Sequence, residues 1–205
     1  MGFFSKVFGG GEPEKSFQME PTSQMMDEDR YWRMIDEARA ASENDLDEMA
    51  DQLIRQLEWL QPDEIVGFRL RTDKLLFDSY TSDLWCAAYI MNGGCSDDGF
   101  EYFRLWLISS GKKFYDAAKA DPDSIAELLS EPEPTFFEFE ILWYVANKAF
   151  EKKTGKNLYD YVDHDNFKTN EANYPRNFEF TWSEDDPDSI RRTCPKLVAR
   201  FEPVL

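Results

Sequence analysis

The chain has 205 residues, 16% of them aromatic, and a formal charge of −18 that comes from 41 acidic and 23 basic residues. This length and aromatic content predict one globular domain with a sizeable core. The negative charge repels phosphates, which argues against a nucleic acid or an anionic membrane surface as the main partner. Two explanations of the acidic excess stay open: solubility, which net charge alone favours, and an acidic face for a basic partner protein, such as a decoy that resembles DNA.

The first 24 residues differ from the rest and are predicted to form a flexible N-terminal segment and linker. Phe3, Phe4, Val7 and Phe8 would share one face of a short helix, and a glycine run then begins a polar stretch. Such a face suits weak contact with a membrane or with a partner, although eight residues do not form a stable helix alone. A tail without any such contact is the alternative, and it is the more common state of a terminus.

Residues 25–205 are predicted to form one mainly α domain of six to eight helices. Apolar residues recur at helical spacing over residues 25–155, the predicted helical core. Helices are predicted to begin near residues 27, 46, 62, 82, 98, 112, 121 and 135, and the last is a long helix that Thr135 and Glu138 cap and that runs through Phe150. The motif Glu131-Pro132-Glu133-Pro134 before it is predicted to be a linker.

The C-terminal flank, residues 156–205, lacks a regular helical pattern. It is predicted to be irregular and to wrap around the helical core. Residues 178–182 and 196–201 alternate between apolar and polar side chains, so each is expected to form a short strand.

The segment from Gly93 to Ile108 places adjacent acids at the start of a very apolar helix. The two glycines end the preceding helix, and Ser96, Asp97 and Asp98 all suit an N-cap. Asp98 with Glu101 three residues later fits a capping box. Because apolar residues then cover every side of the helix, this helix and the one before it are predicted to be the buried central pair.

Arg104 is the basic residue inside that apolar helix, and it is expected to be half-buried. A buried guanidinium needs a carboxylate, and Asp97 and Glu101 are the nearest candidates on its face of the helix. Ser96, Asp97, Asp98, Glu101 and Arg104 are therefore the candidate functional cluster. A structural cap with one ion pair is the favoured interpretation, and a functional site is the alternative.

Two hypotheses about the function follow from these features, and the non-enzymatic hypothesis is favoured. In the first, the protein is an acidic interaction or regulatory protein. In the second, it is a metal-dependent hydrolase or phosphate-handling enzyme in which Asp97, Asp98 and Glu101 bind Mg²⁺ and Arg104 binds an anion. The remaining acidic set is Asp160, Asp163 and Asp165 beside His164, and a solvated turn is the favoured interpretation of that set.

Cysteine and glycine patterns exclude several other kinds of site. Cys86, Cys95 and Cys194 form no CxxC pair and the chain has one histidine, so no ordinary zinc site is expected. The thiols fit a reducing cytosol, and no secretory signal or membrane span is evident. Cys95 lies beside a helix N-terminus but has no histidine nearby, so a structural role is favoured over a nucleophile. No phosphate-binding loop is present, and no cofactor or bound metal is expected.

The central motif also resembles a bacterial family of unknown function, DUF4240. The matching residues are Leu84-Trp85-Cys86-Ala87-Ala88, Gly94 to Phe100, Phe103 to Ile108 with Gly111, and Ala120 to Ala126, with Trp32 and Ile35 in the first helix. The resemblance covers roughly residues 25–130. It implies a soluble helical domain, and it brings no activity, cofactor or partner with it.

Overall fold

The computed structural model describes residues 17–130, 136–167 and 179–201. The apolar segment with Phe3, Phe4, Val7 and Phe8, the predicted linker at residues 131–134, and Thr135 lie outside the described residues. The structure contains these α-helices: α1 (Glu28–Ala41), α2 (Leu46–Glu58), α3 (Pro62–Asp78), α4 (Ser82–Asn92), α5 (Asp97–Ser109), α6 (Lys112–Ala120), α7 (Ile125–Leu128), α8 (Val145–Thr154), α9 (Pro187–Thr193) and α10 (Pro195–Phe201).

The mainly α prediction is confirmed. Three 3-10 helices, Pro122–Ser124, Glu140–Tyr144 and Leu158–Tyr161, connect the α-helices, and the described residues contain two isolated β-bridges and no strand. The described residues contain ten α-helices, which exceed the predicted six to eight because the C-terminal flank contains short helices as well as irregular chain. In the described ranges, no helix is long and apolar enough to cross a membrane.

The core forms where α5 is surrounded by α1, α3, α4 and α6. Its residues from Phe103 to Ser109 are all buried, as the apolar pattern of the sequence predicts. On the other side of α3, α8 packs against both α2 and α3, and α10 covers α4. The candidate cluster thus begins at the surface, at the N-terminus of α5, and ends in the centre of the domain.

The long helix predicted from Thr135 is wrong in its N-terminal part. Residues 136–139 are irregular, and the α-helix begins only at Val145, after the 3-10 turn. The backbone N–H of Phe137 donates to the Asn92 side chain, and that of Phe139 donates to the Tyr102 carbonyl. These bonds to α4 and α5 replace the intrahelical bonds that the capping box would have started.

The strand predicted at residues 196–201 is also wrong, because this stretch belongs to α10. Pro195 occupies the first helical position, which suits proline. The buried carboxylate of Asp123 accepts the backbone N–H groups of Lys196 and Leu197, and it thereby caps the helix from a distant part of the chain. In the other predicted strand, Phe178 lies outside the described residues, and no ladder forms over residues 179–182.

The chain before α1 packs against the domain from Phe17 onward. The Phe17 ring contacts the rings of Phe150 and Tyr161 at centroid distances of 5.9 and 5.4 Å. Thr22 forms a parallel bridge with Val162, in which its N–H donates to the Tyr161 carbonyl. This extended segment then crosses α3 at Gly67.

Replacing Gly67 by alanine is expected to destabilise the protein by about 1 to 3 kcal/mol, because the added methyl overpacks this crossing. A Cβ at position 67 would lie 3.0 Å from both the Gln24 carbonyl oxygen and the Met26 nitrogen. Urea unfolding of the full chain measures the loss. Gly99→Ala in α5 is the matched control, since its nearest contact would be 3.4 Å and alanine favours a helix. A Gly67→Ala variant as stable as the wild type would contradict the close crossing.

Candidate functional site

Ser96 is the N-cap of α5, and the capping box predicted for Asp98 and Glu101 does not form. The Ser96 hydroxyl oxygen accepts the Gly99 N–H at 3.1 Å, and the helix begins at Asp97. Asp97 and Asp98 are exposed in the first helical turn, where their charge favours the helix dipole. These three residues therefore serve the helix end, and they remain at the surface.

Arg104 is buried more completely than predicted, at 2% exposure, and carbonyl oxygens bind it instead of the expected carboxylates. Its Nη1 donates to the Leu76 carbonyl at 2.5 Å, and its Nε donates to the Phe100 carbonyl at 3.2 Å. Its guanidinium carbon also lies 4.6 Å from the centroid of the Phe100 ring. No ion pair with Asp97 forms among the described residues.

The contacts of Arg104 explain why a cation lies in this core. Leu76 belongs to the last turn of α3, where a helix has too few backbone donors for its carbonyl oxygens and where the negative end of the helix dipole lies. The Tyr115 hydroxyl from α6 donates to the adjacent carbonyl of Leu75 at 2.6 Å, and the Ser79 hydroxyl donates to the same oxygen. Side chains from α5 and α6 thus cap the buried end of α3.

A second buried cation, Arg69 of α3, was missed in the sequence. Its side chain is 3% exposed, and its Nε donates to Asp73 at 2.7 Å. Nη1 donates to the Trp143 carbonyl at 3.0 Å and to the Asn147 side chain at 3.3 Å. The signal was present: Arg69 and Asp73 are four residues apart within α3, which is the spacing of a helical ion pair, and Arg69 directly follows Phe68 on a face with Ile65 and Leu76.

Glu101 is partly buried and is close enough to both buried arginines for their charges to act on its carboxyl, so we group it with them and not with the exposed cap. Burial raises the pKa of its carboxyl above the ordinary value of 4.5, while the positive charges of Arg104 and Arg69 oppose the rise. Burial likewise raises the pKa of Asp73 against the opposing charge of Arg69. We call Arg69, Asp73, Glu101 and Arg104 the inner charge cluster; its carboxylates and cations are equal in number.

Replacing Glu101 by glutamine is expected to stabilise the protein more at pH 7 than at pH 4. The raised pKa means that the folded wild-type protein favours the protonated carboxyl of Glu101. The wild type is therefore not penalised by this residue below pH 4.5, and it loses stability as the pH rises through the pKa that Glu101 has in the folded state. Glutamine cannot ionise and avoids that loss. Thermal unfolding at both pH values measures the difference, and Glu37→Gln on the exposed side of α1 is the control for charge removal. An equal shift at both pH values would contradict the prediction.

The thiols have structural surroundings. Burial and the neighbouring Glu138 carboxylate raise the pKa of Cys95 to about 12, so the helix N-terminus does not produce a thiolate there. Cys194 lies beside Cys86 in the fold, although the two are distant in the sequence, and both are buried and free. Neither arrangement resembles an activated nucleophile.

The acidic set near His164 forms a turn. The Asp163 carboxylate accepts the N–H groups of Asp165 and Asn166, as in an Asx turn, and the His164 ring contacts the Tyr159 carbonyl. Across the described ranges, no three His, Cys, Asp or Glu side chains converge to hold a metal ion. The metal-dependent alternative therefore has no ligand set in this part of the chain.

Aromatic side chains lie on the surface next to the inner charge cluster. The Tyr102 hydroxyl faces Glu140, and Asp98 and Tyr144 are close enough to affect its ionisation. Trp143 and Tyr159 lie over the Arg69 guanidinium, at 3.8 and 5.0 Å from ring centroid to Cζ. We name the aromatic-acidic face by its six residues: Asp98, Tyr102, Glu140, Trp143, Tyr144 and Tyr159.

Comparison with known proteins identifies one family. A family model described as "Protein of unknown function (DUF4240)" matches residues 26–152, which include α1 to α7 and most of α8. The match contains both the inner charge cluster and nearly all of the aromatic-acidic face. No curated protein and no solved structure is detectably similar to the chain.

Proposed function

Because this chain belongs to the DUF4240 family of proteins of unknown function, we propose its role from its surface: a non-enzymatic binding protein of the cytosol whose acidic exterior docks a basic partner protein. The observation that carries the proposal is the corner between α1 and α2. Residues 36–51 contain seven acidic residues and one basic residue, and all seven acidic side chains are exposed. We call this stretch the acidic corner.

Ion pairs neutralise part of the acidic corner and leave it net negative. Arg39 pairs with Asp36 at 3.4 Å and also donates to the Ser110 carbonyl at 2.7 Å, and Arg55 of α2 pairs with Glu48 at 2.6 Å. These two arginines balance only a minority of the seven acidic side chains. A concentration of one sign of charge attracts an oppositely charged protein, speeds its association and makes binding sensitive to salt. The buried charges, by contrast, bind to groups within the fold, so the proposal rests on the exposed ones.

Affinity capture with the full chain tests the proposal. The chain is immobilised and exposed to lysate at about 50 and 300 mM salt, where screening differs strongly. An unrelated acidic protein of similar size and charge is the control. The expected result is a basic protein that binds this chain and not the control, that binds again when purified, and whose affinity falls with salt. Recovery of the same proteins by both baits would contradict the proposal.

A further inference from the structure

The aromatic-acidic face differs from the acidic corner because it offers rings as well as charge. Tyr144 is 43% exposed and Tyr159 is 37% exposed, while Tyr102 and Trp143 are partly exposed. Asp98 and Glu140 are exposed carboxylates on the same face. Tyrosine and tryptophan are the residues that most often contribute binding energy at interfaces, and they retain little conformational freedom to lose.

The fold already shows which chemical group these rings accept. On their inner side, Trp143 and Tyr159 lie over the planar guanidinium of Arg69, and Asp73 supplies the carboxylate that completes its surroundings. A guanidinium stacks on an aromatic ring and binds a carboxylate at the same time, whereas an ammonium is a compact and more strongly hydrated charge. The exposed groups of the face are of the same two kinds, since Tyr144 and Tyr159 are exposed rings and Asp98 and Glu140 are exposed carboxylates.

We infer that the aromatic-acidic face is the docking surface for the basic partner and that it selects arginine side chains over lysine. The inference rests on the proposed function and deepens it, since it names the surface and the chemistry of the partner. Arginine side chains of the partner stack on Tyr144 and Tyr159 and pair with Asp98 and Glu140. The acidic corner attracts the partner over a longer range and makes no selective contact.

Lys148 bounds the face on the side of α8. It is exposed and lies one helical turn after Tyr144, so its charge repels an incoming guanidinium. Its removal is therefore a change that strengthens binding. A variant that gains affinity is a sharper test than one that loses it, because damage to the fold does not produce a gain.

Fluorescence anisotropy with short labelled peptides tests the inference on the full chain. One peptide alternates four arginines with glycines, and the comparison peptide has lysines in place of the arginines. The arginine peptide is expected to bind more tightly, and Tyr144→Ala with Tyr159→Ala is expected to weaken it about tenfold, the loss of two exposed cation-π contacts. The affinity of the lysine peptide is expected to change much less in this double variant. Lys148→Gln is expected to increase the affinity of the arginine peptide.

A pair of charge-matched variants separates the face from the corner. Asp98→Asn with Glu140→Gln removes two exposed charges from the face, and Asp47→Asn with Asp51→Asn removes two from the corner. The first pair is expected to reduce the affinity of the arginine peptide several-fold more than the second pair does. Equal losses, or equal binding of the two peptides, would overturn the inference and leave the proposed function standing. No binding of either peptide at low salt, together with no partner in the capture experiment, would overturn both.

Discussion

The Asp73→Ala variant is expected to lose about 3 to 5 kcal/mol of unfolding free energy, because it leaves the Arg69 guanidinium buried without its carboxylate. Arg69 is 3% exposed and cannot reach water without moving Trp143, which is stacked on it. The carbonyl of Trp143 and the side chain of Asn147 continue to accept from it, so the lower end of this range is expected. Urea unfolding at neutral pH measures the loss.

Two further variants distinguish the buried charge from simple loss of packing. Asp73→Asn keeps an acceptor of similar shape, and its loss is expected to be smaller than that of Asp73→Ala. Arg69→Met combined with Asp73→Leu removes both charges, and it is expected to be more stable than Asp73→Ala alone, since a buried ion pair replaced by apolar groups often costs little. If the double variant is the less stable of the two, the pair stabilises the fold through its net attraction, and the prediction fails.

Arg104→Met is expected to lose about 3 kcal/mol of unfolding free energy. The loss combines a charged hydrogen bond that is no longer made with a buried carbonyl oxygen that is left with fewer donors. Methionine fills much of the same volume, which limits the contribution of a cavity. The loss is expected to appear first at the C-terminal end of α3, where Leu76 accepts from Arg104. Hydrogen exchange measured residue by residue would show faster exchange in the last turn of α3 than in its first turns.

Tyr115→Phe is the natural comparison for Arg104→Met. It removes one hydroxyl from the neighbouring carbonyl, Leu75, and it keeps the ring. Its loss is expected to be smaller, about 1 kcal/mol, because the donor is neutral and Ser79 still donates to the same oxygen. If Arg104→Met loses no more stability than Tyr115→Phe, the charge of Arg104 contributes nothing at the helix end.

Helices with strong local signals were predicted correctly from the sequence. Backbone groups whose hydrogen-bond partners lie far away in the sequence were not. Asp27 and Gly93 mark helix ends by their own side-chain or backbone chemistry, and both were predicted correctly. The long helix from Thr135 was wrong because Asn92 and Tyr102 take backbone N–H groups that a local capping box would have used. Because both acceptors lie outside residues 135–145, the local sequence pattern does not reveal them.

The same limit applies to the candidate site. Helical spacing placed Asp97 and Glu101 near Arg104 because it compares residues on one helix. The acceptor that Arg104 found is a carbonyl of α3, 28 residues earlier, and a carbonyl has no signature in the sequence. Glu101 is nevertheless close enough to both arginines for their charges to oppose the rise that burial causes in its pKa.

The long-range cap at Asp123 has a consequence for how the chain folds as it is made. Its acceptor oxygens receive N–H groups 73 residues later in the chain. At synthesis rates of 5 to 20 residues per second, about 4 to 15 s separate the two partners. During that interval a carboxylate that ends up buried has only water to bind, and α4 lacks the cover of α10. The helical core therefore reaches its final packing only after the ribosome has released the C-terminal helices.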